Sequence, residues 1–106
     1  MTRVYLGGPM RNYELYNFPA FLEAAAELRK EGYEVFSPAE RDLAEGFDPN
    51  KGLEEQGFDM AQAWRWNLEQ VLKCDAIALL PNWEGSEGAA LEQAIAKGLG
   101  LEQIIL

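Results

Sequence analysis

The sequence contains no histidine and a single cysteine, Cys74. Without imidazole it has neither the usual neutral-pH proton carrier nor the usual metal ligand, and a lone thiol forms no internal disulfide. These two absences point to reducing cytosol and to a site free of metal and cofactor. Cations are scarce as well: 9 Lys and Arg stand against 18 Asp and Glu, a formal charge of -9. Such a surface repels polyanions, which disfavours DNA, RNA or an anionic membrane as the main partner. One small anion remains compatible, because local backbone N–H groups and a single Arg can hold a phosphate whatever the global charge. Long apolar runs are missing too. No window approaches the ~20 apolar residues that span a bilayer. The opening Met-Thr-Arg-Val-Tyr-Leu-Gly-Gly enters a strand-like pattern at once, with no signal-peptide stretch.

What is present suffices for one core. The chain has 106 residues, 48% of them hydrophobic and 11% aromatic, and reads as a single domain over 1–106. Val4-Tyr5-Leu6 is a β-prone run closed by Gly7-Gly8-Pro9. Phe18, Phe21, Leu22, Ala25 and Leu28 recur at helical spacing, with Asn17 as cap, Pro19 in the first turn and Gly32 as stop. Tyr33 to Phe36 reads as a second strand, stopped by Ser37-Pro38. Residues 41 to 58, rich in Gly, Asp and Glu, read as a mobile surface loop. Trp64, Leu68, Val71 and Leu72 share a face of a helix over about 60–73, and the unbroken Ala76 to Leu80 run has the character of a central parallel strand. A last helix presents Ala90, Leu91, Ala94 and Ile95, and Gln103 to Leu106 closes the chain as a fourth strand. The order βαβαβαβ predicts an α/β fold: a doubly wound, four-stranded parallel sheet of flavodoxin-like or Rossmann-like order 2-1-3-4, with helices on both faces and ligands at the strands' C-terminal ends.

In that fold the loops after the first three strands converge, so Gly7 to Arg11, Ser37 to Glu40 and Asn82 to Glu87 should share one crevice. Gly8, Pro9 and Met10 make either a plain strand-to-helix turn or a phosphate loop, and Arg11 is one of few cations beside it. Ser86 can cap the last helix while its hydroxyl and the free amides near Gly88 form an anion cradle. Glu92 is either a helix-surface residue or a carboxylate aimed into the crevice. Trp83 reads as a packing residue or as a platform over a base or sugar. Asn67 alone identifies nothing.

The segments Val-Tyr-Leu-Gly-Gly-Pro-Met-Arg, Asn-Phe-Pro-Ala-Phe, Gly-Tyr-Glu-Val-Phe-Ser-Pro-Ala-Glu and Cys-Asp-Ala-Ile-Ala-Leu-Leu-Pro-Asn-Trp-Glu-Gly-Ser-Glu-Gly-Ala resemble a phage and prophage family of nucleoside 2-deoxyribosyltransferase-like proteins of mostly unassigned function. More distantly they are similar to the nucleoside deoxyribosyltransferases and the deoxynucleoside 5′-monophosphate N-glycosidases. The resemblance implies that Glu92 is the nucleophile, that Tyr5 contacts its carboxylate, and that Arg11, in a loop with Pro9 where the relatives have Ser, binds phosphate together with Ser86. It also implies assembly as a homodimer or higher oligomer, for which the Trp64 and Trp66 helix is a candidate interface. One departure stands out. Asn67 occupies the position of an Asp implied to protonate the leaving base or orient the sugar, and an amide donates no proton; Glu40 or Asp59 are then the candidate substitutes.

The expected activity is cleavage or transfer at the N-glycosidic bond of a nucleoside monophosphate through a glycosyl ester on Glu92. The alternatives are a non-catalytic nucleotide-binding or sequestering module, for instance one of phage origin, and an interaction domain that meets a protein through its acidic surface.

Overall fold

The computed structural model describes all 106 residues. Four parallel strands, β1 (Arg3–Gly7), β2 (Glu34–Phe36), β3 (Ala76–Leu79) and β4 (Glu102–Ile105), pair in the order β2-β1-β3-β4. The connecting helices are α1 (Phe18–Lys30), α2 (Pro38–Ala44), α3 (Met60–Lys73) and α4 (Glu87–Gly98). This is the predicted doubly wound arrangement. None of the helices is long and apolar enough to cross a membrane.

Strand alternation divides the core in two. Val4 and Leu6 of β1 and Ala76 and Ala78 of β3 turn toward α1, where Phe21, Ala25 and Leu28 cover them. Tyr5, Ile77 and Leu79 turn the other way, against Val71 of α3 and Ala96 of α4. With β1 and β3 buried on both faces, their side chains form the nearly continuous apolar runs that parallel strands require.

Local chemistry departs from expectation in three places. Asn17 holds the residue before α1, but in a left-handed conformation (φ 63°) and without capping the helix; its amide donates to the Pro9 carbonyl at 2.9 Å and ties the chain to the first loop. Residues 38–44 form a helix rather than loop, because Ser37 is extended and Pro38 supplies the fixed φ of a first helical residue. Residues 45–58 carry specific side-chain contacts of their own. The Gln56 side chain accepts from the Asp48 amide and donates to the Asp48 carbonyl, while Phe47 packs edge-on against Tyr16 and Phe58. Such aromatic pairs contribute about 0.5–1.5 kcal/mol each beyond their burial.

Helix α4 buries a different stripe from the one periodicity suggests. Leu91 is exposed, whereas Ala89, Glu92 and Ala96 face inward. A carboxylate therefore occupies the centre of the helix's buried face.

Candidate functional site

At the C-terminal ends of β1, β2 and β3 lies a cavity of about 630 Å³, within the usual range for small-molecule sites. Its floor is Tyr5, Asn67 and Glu92. Glu92 is 5% exposed, and one carboxylate oxygen accepts the Tyr5 hydroxyl at 2.8 Å. Burial raises the Glu92 carboxyl to about 7, with the Tyr5 hydroxyl and the Asn67 amide pulling in the opposite direction. Burial first, and then the charge of Glu92, raises the Tyr5 hydroxyl well above its ordinary value. The tyrosine therefore stays a donor and holds the carboxylate in place.

The first loop, Gly8 to Arg11, and the start of α4, Ser86 to Gly88, both line the cavity. Ser86 caps the helix, its hydroxyl accepting from the Ala89 amide at 3.2 Å. The amides of Glu87 and Gly88 have no intrahelical acceptor, as at any helix start, and they border the cavity. Arg11 is exposed and forms no ion pair. A helix start with free amides and an unpaired guanidinium lining the same cavity is a combination suited to an anion.

Gly8 is fixed by packing. A β-carbon there would stand 2.7 Å from Leu80 Cβ and 2.8 Å from its Cδ1, closer than atoms of a rigid branch point can yield. Gly8→Ala is expected to lose about 1–3 kcal/mol of stability and to displace the loop carrying Arg11. Urea unfolding reads the first effect; a variant as stable as the parent would show that the loop relaxes freely.

Three expected site residues lie elsewhere. Glu40 does not line the cavity: both its oxygens are held by Arg29 of α1, at 2.6 Å each. Position in a converging loop gave its neighbourhood but not its direction. Trp83 packs with Ile77, Leu79 and Ala96 on the α3/α4 side of the sheet and is also absent from the cavity. Asp59 caps α3 by accepting from the Gln62 amide at 3.0 Å and borders a neighbouring hollow instead. The tryptophans of α3 are engaged within the chain: Trp64 lines the cavity and Trp66 packs on the second core cluster.

One charged cavity residue is not singled out by the sequence. Asp42, in α2, is 7% exposed and borders the cavity beside Phe47 and Phe58. Burial raises its carboxyl to about 6 despite Arg41 next to it. The signal was present: Pro38, Ala39 and Asp42 share one helical face, and an acid on a buried face requires an explanation. The Gly-, Asp- and Glu-rich composition of residues 41 to 58 hides that face.

Similar solved structures include a 2-deoxyribosyltransferase from the psychrotolerant bacterium Bacillus psychrosaccharolyticus, 25% identical with a TM-score of 0.67, the match covering 97% of this chain and 70% of that one. A 2-deoxyribosyltransferase from Leishmania mexicana is 16% identical with a TM-score of 0.68 and shares the fold; the match covers all of this chain and 64% of that one. These neighbours support placement in the nucleoside 2-deoxyribosyltransferase-like superfamily. No curated protein matches the sequence significantly. The family model of a domain of unknown function, DUF4406, matches residues 2–105, and the chain belongs to that family.

Proposed function

We propose that this protein binds a nucleoside or deoxynucleoside 5′-monophosphate and breaks its N-glycosidic bond through attack by Glu92, passing the sugar to water or to a second base. The observation that carries the reading is a buried carboxylate, held by Tyr5, lining the same cavity as Arg11 and the start of α4. The likeness to 2-deoxyribosyltransferases supports glycosyl transfer at nucleosides as the reaction class. The unpaired Arg11 and the free amides at the start of α4, lining the same cavity, support the monophosphate.

In this reading Arg11, Ser86 and the α4 amides grip the phosphate. Binding energy remote from the breaking bond then positions the sugar with its anomeric carbon against Glu92. As the base leaves, a Glu92 oxygen forms an ester to that carbon through an oxocarbenium-like transition state. Tyr5 keeps the second oxygen occupied, so the first is aimed.

The test is a panel of nucleoside monophosphates and their dephosphorylated counterparts, with free base followed by chromatography and base exchange followed after adding a second base. Release from monophosphates in preference to nucleosides is expected. Arg11→Ala should raise KM for the monophosphate by roughly 10- to 100-fold, as loss of a charge-assisted contact implies, and should erase the preference. Nucleotide binding by calorimetry with no base release would instead favour a sequestering module, the reading to which Asn67 in place of an acid lends weight.

A further inference from the structure

We infer that Asp42 is the catalytic acid: it gives the departing base its proton and takes one back from the water that resolves the glycosyl ester. The inference rests on the base-releasing function proposed above. A purine or pyrimidine anion is a poor leaving group, and a positioned acid contributes roughly 10²–10⁴ in rate. Asn67, beside Glu92, has no proton to give.

Among the carboxyl groups that border the cavity, the geometry leaves one for the task. Four charged side chains border the cavity: Arg11, Asp42, Glu87 and Glu92. Glu92 is the proposed nucleophile. Glu87 is exposed and belongs to the start of α4, at the anion-binding rim. Glu40 is held by Arg29, and Asp59 caps α3 beyond the cavity. The Tyr5 hydroxyl is committed to Glu92.

Asp42 also stands where a base would lie. Its neighbours Phe47 and Phe58 belong to an aromatic group with Tyr16 and Phe18, all of them cavity-lining, whose ring centroids lie 5.3 to 6.4 Å apart. Such a wall suits the faces of a heterocycle, while the groups proposed to hold the phosphate belong to the first loop and the start of α4. Asp42 Oδ1 has only a long contact to Arg41, at 3.4 Å, and Oδ2 makes no hydrogen bond. Its charged surroundings are Arg41 and Glu45 on α2, Asp59 across the neighbouring hollow, and Tyr5 and Glu92 on the sheet side. The desolvation that raises the carboxyl to about 6 outweighs the pull of Arg41. About a tenth of the molecules then carry the proton at pH 7.

The step balances. The C1′–N bond breaks with its electron pair going to the base; the Asp42 proton neutralises the base; and a Glu92 oxygen closes the C1′–O bond. Water then attacks C1′, Glu92 leaves as carboxylate, and Asp42 recovers a proton from the water.

The experiment compares wild type, Asp42→Asn and Asp42→Glu on monophosphates of one base with good and poor leaving ability: 7-methylated against unmodified purine, or 5-fluorinated against unmodified pyrimidine, as the panel selects. The expected result is a loss of roughly 10²–10⁴ in kcat/KM for Asp42→Asn on the unmodified base, less than tenfold on the activated one, and disappearance of the alkaline limb of the pH profile. Asp42→Glu should retain that limb. Asp42→Ser makes the same comparison if the Asn variant does not fold. Equal loss on both leaving groups, or an unchanged alkaline limb, would overturn the assignment to Asp42 while leaving base release itself established. No base release by the wild type would overturn the proposed function and this acid with it.

Discussion

Glu92→Gln is expected to end base release, lowering kcat/KM by at least ~10³ as removal of a covalent nucleophile does, while the dissociation constant for the monophosphate changes by less than tenfold. The substitution is nearly isosteric, and its amide oxygen can still accept the Tyr5 hydroxyl that now lies 2.8 Å from the carboxylate. The groups proposed to grip phosphate, Arg11 and Ser86, belong to the first loop and the α4 start and make no hydrogen bond to Glu92. What disappears is the anionic oxygen that forms the ester, and a neutral amide is too weak a nucleophile for an anomeric carbon. Single-turnover chromatography of released base and calorimetric titration with the nucleotide read the two quantities separately. If the variant released base within tenfold of wild type, the attacking group would have to be something other than Glu92, and water acting directly would become the favoured nucleophile.

The parts of this molecule that follow local rules were legible in the sequence. Apolar runs gave the strands, helical spacing gave α1 and α3, and alternation of the two gave the sheet order β2-β1-β3-β4. What was hidden depends on partners distant in sequence. Nothing in a Gly-, Asp- and Glu-rich stretch shows that Gln56 will bind the backbone of Asp48, or that Phe47 will meet Tyr16 and Phe58. The burial of α4 was misjudged for a related reason. A periodicity argument ranks Leu91 above Glu92 for the inward face, and only the hydroxyl of Tyr5, 87 residues away, makes the reverse choice tolerable. Glu40 illustrates the opposite error. Its loop does converge on the site, but its side chain leaves toward Arg29, a direction that chain order does not encode. Asp42 lies one helical turn from Ala39 on the buried face of a helix whose existence had first to be recognised.

The same Glu92→Gln substitution should stabilise the fold at alkaline pH. In the folded protein burial raises this carboxyl from 4.5 to about 7, so the native state binds the proton more tightly than the unfolded chain does. The stability from that proton is fully present below about 4.5 and is lost as the pH climbs through about 7. At 1.36 kcal/mol per pH unit the gap between 4.5 and 7 corresponds to about 3 kcal/mol. Asp42, raised from 3.8 to about 6, acts in the same sense over a lower window and is left in place as an internal control. Glutamine carries no charge at any pH, so unfolding by urea should find the variant close to wild type at pH 4 and more stable by up to about 3 kcal/mol at pH 8. For a chain of this size each kcal/mol moves Tm by about 4–8 °C. Identical pH slopes in the two proteins would show that Glu92 is not held in its neutral form and that its ionisation costs the fold nothing. The expected divergence ties stability to chemistry. The attacking oxygen must be ionised, yet it sits in a place that resists ionisation, and a carboxylate poorly solvated by water is correspondingly more available to an electrophilic carbon. The folded state is thus least stable in the pH range where its proposed nucleophile is charged, a trade-off expected of a residue retained for reaction rather than for packing.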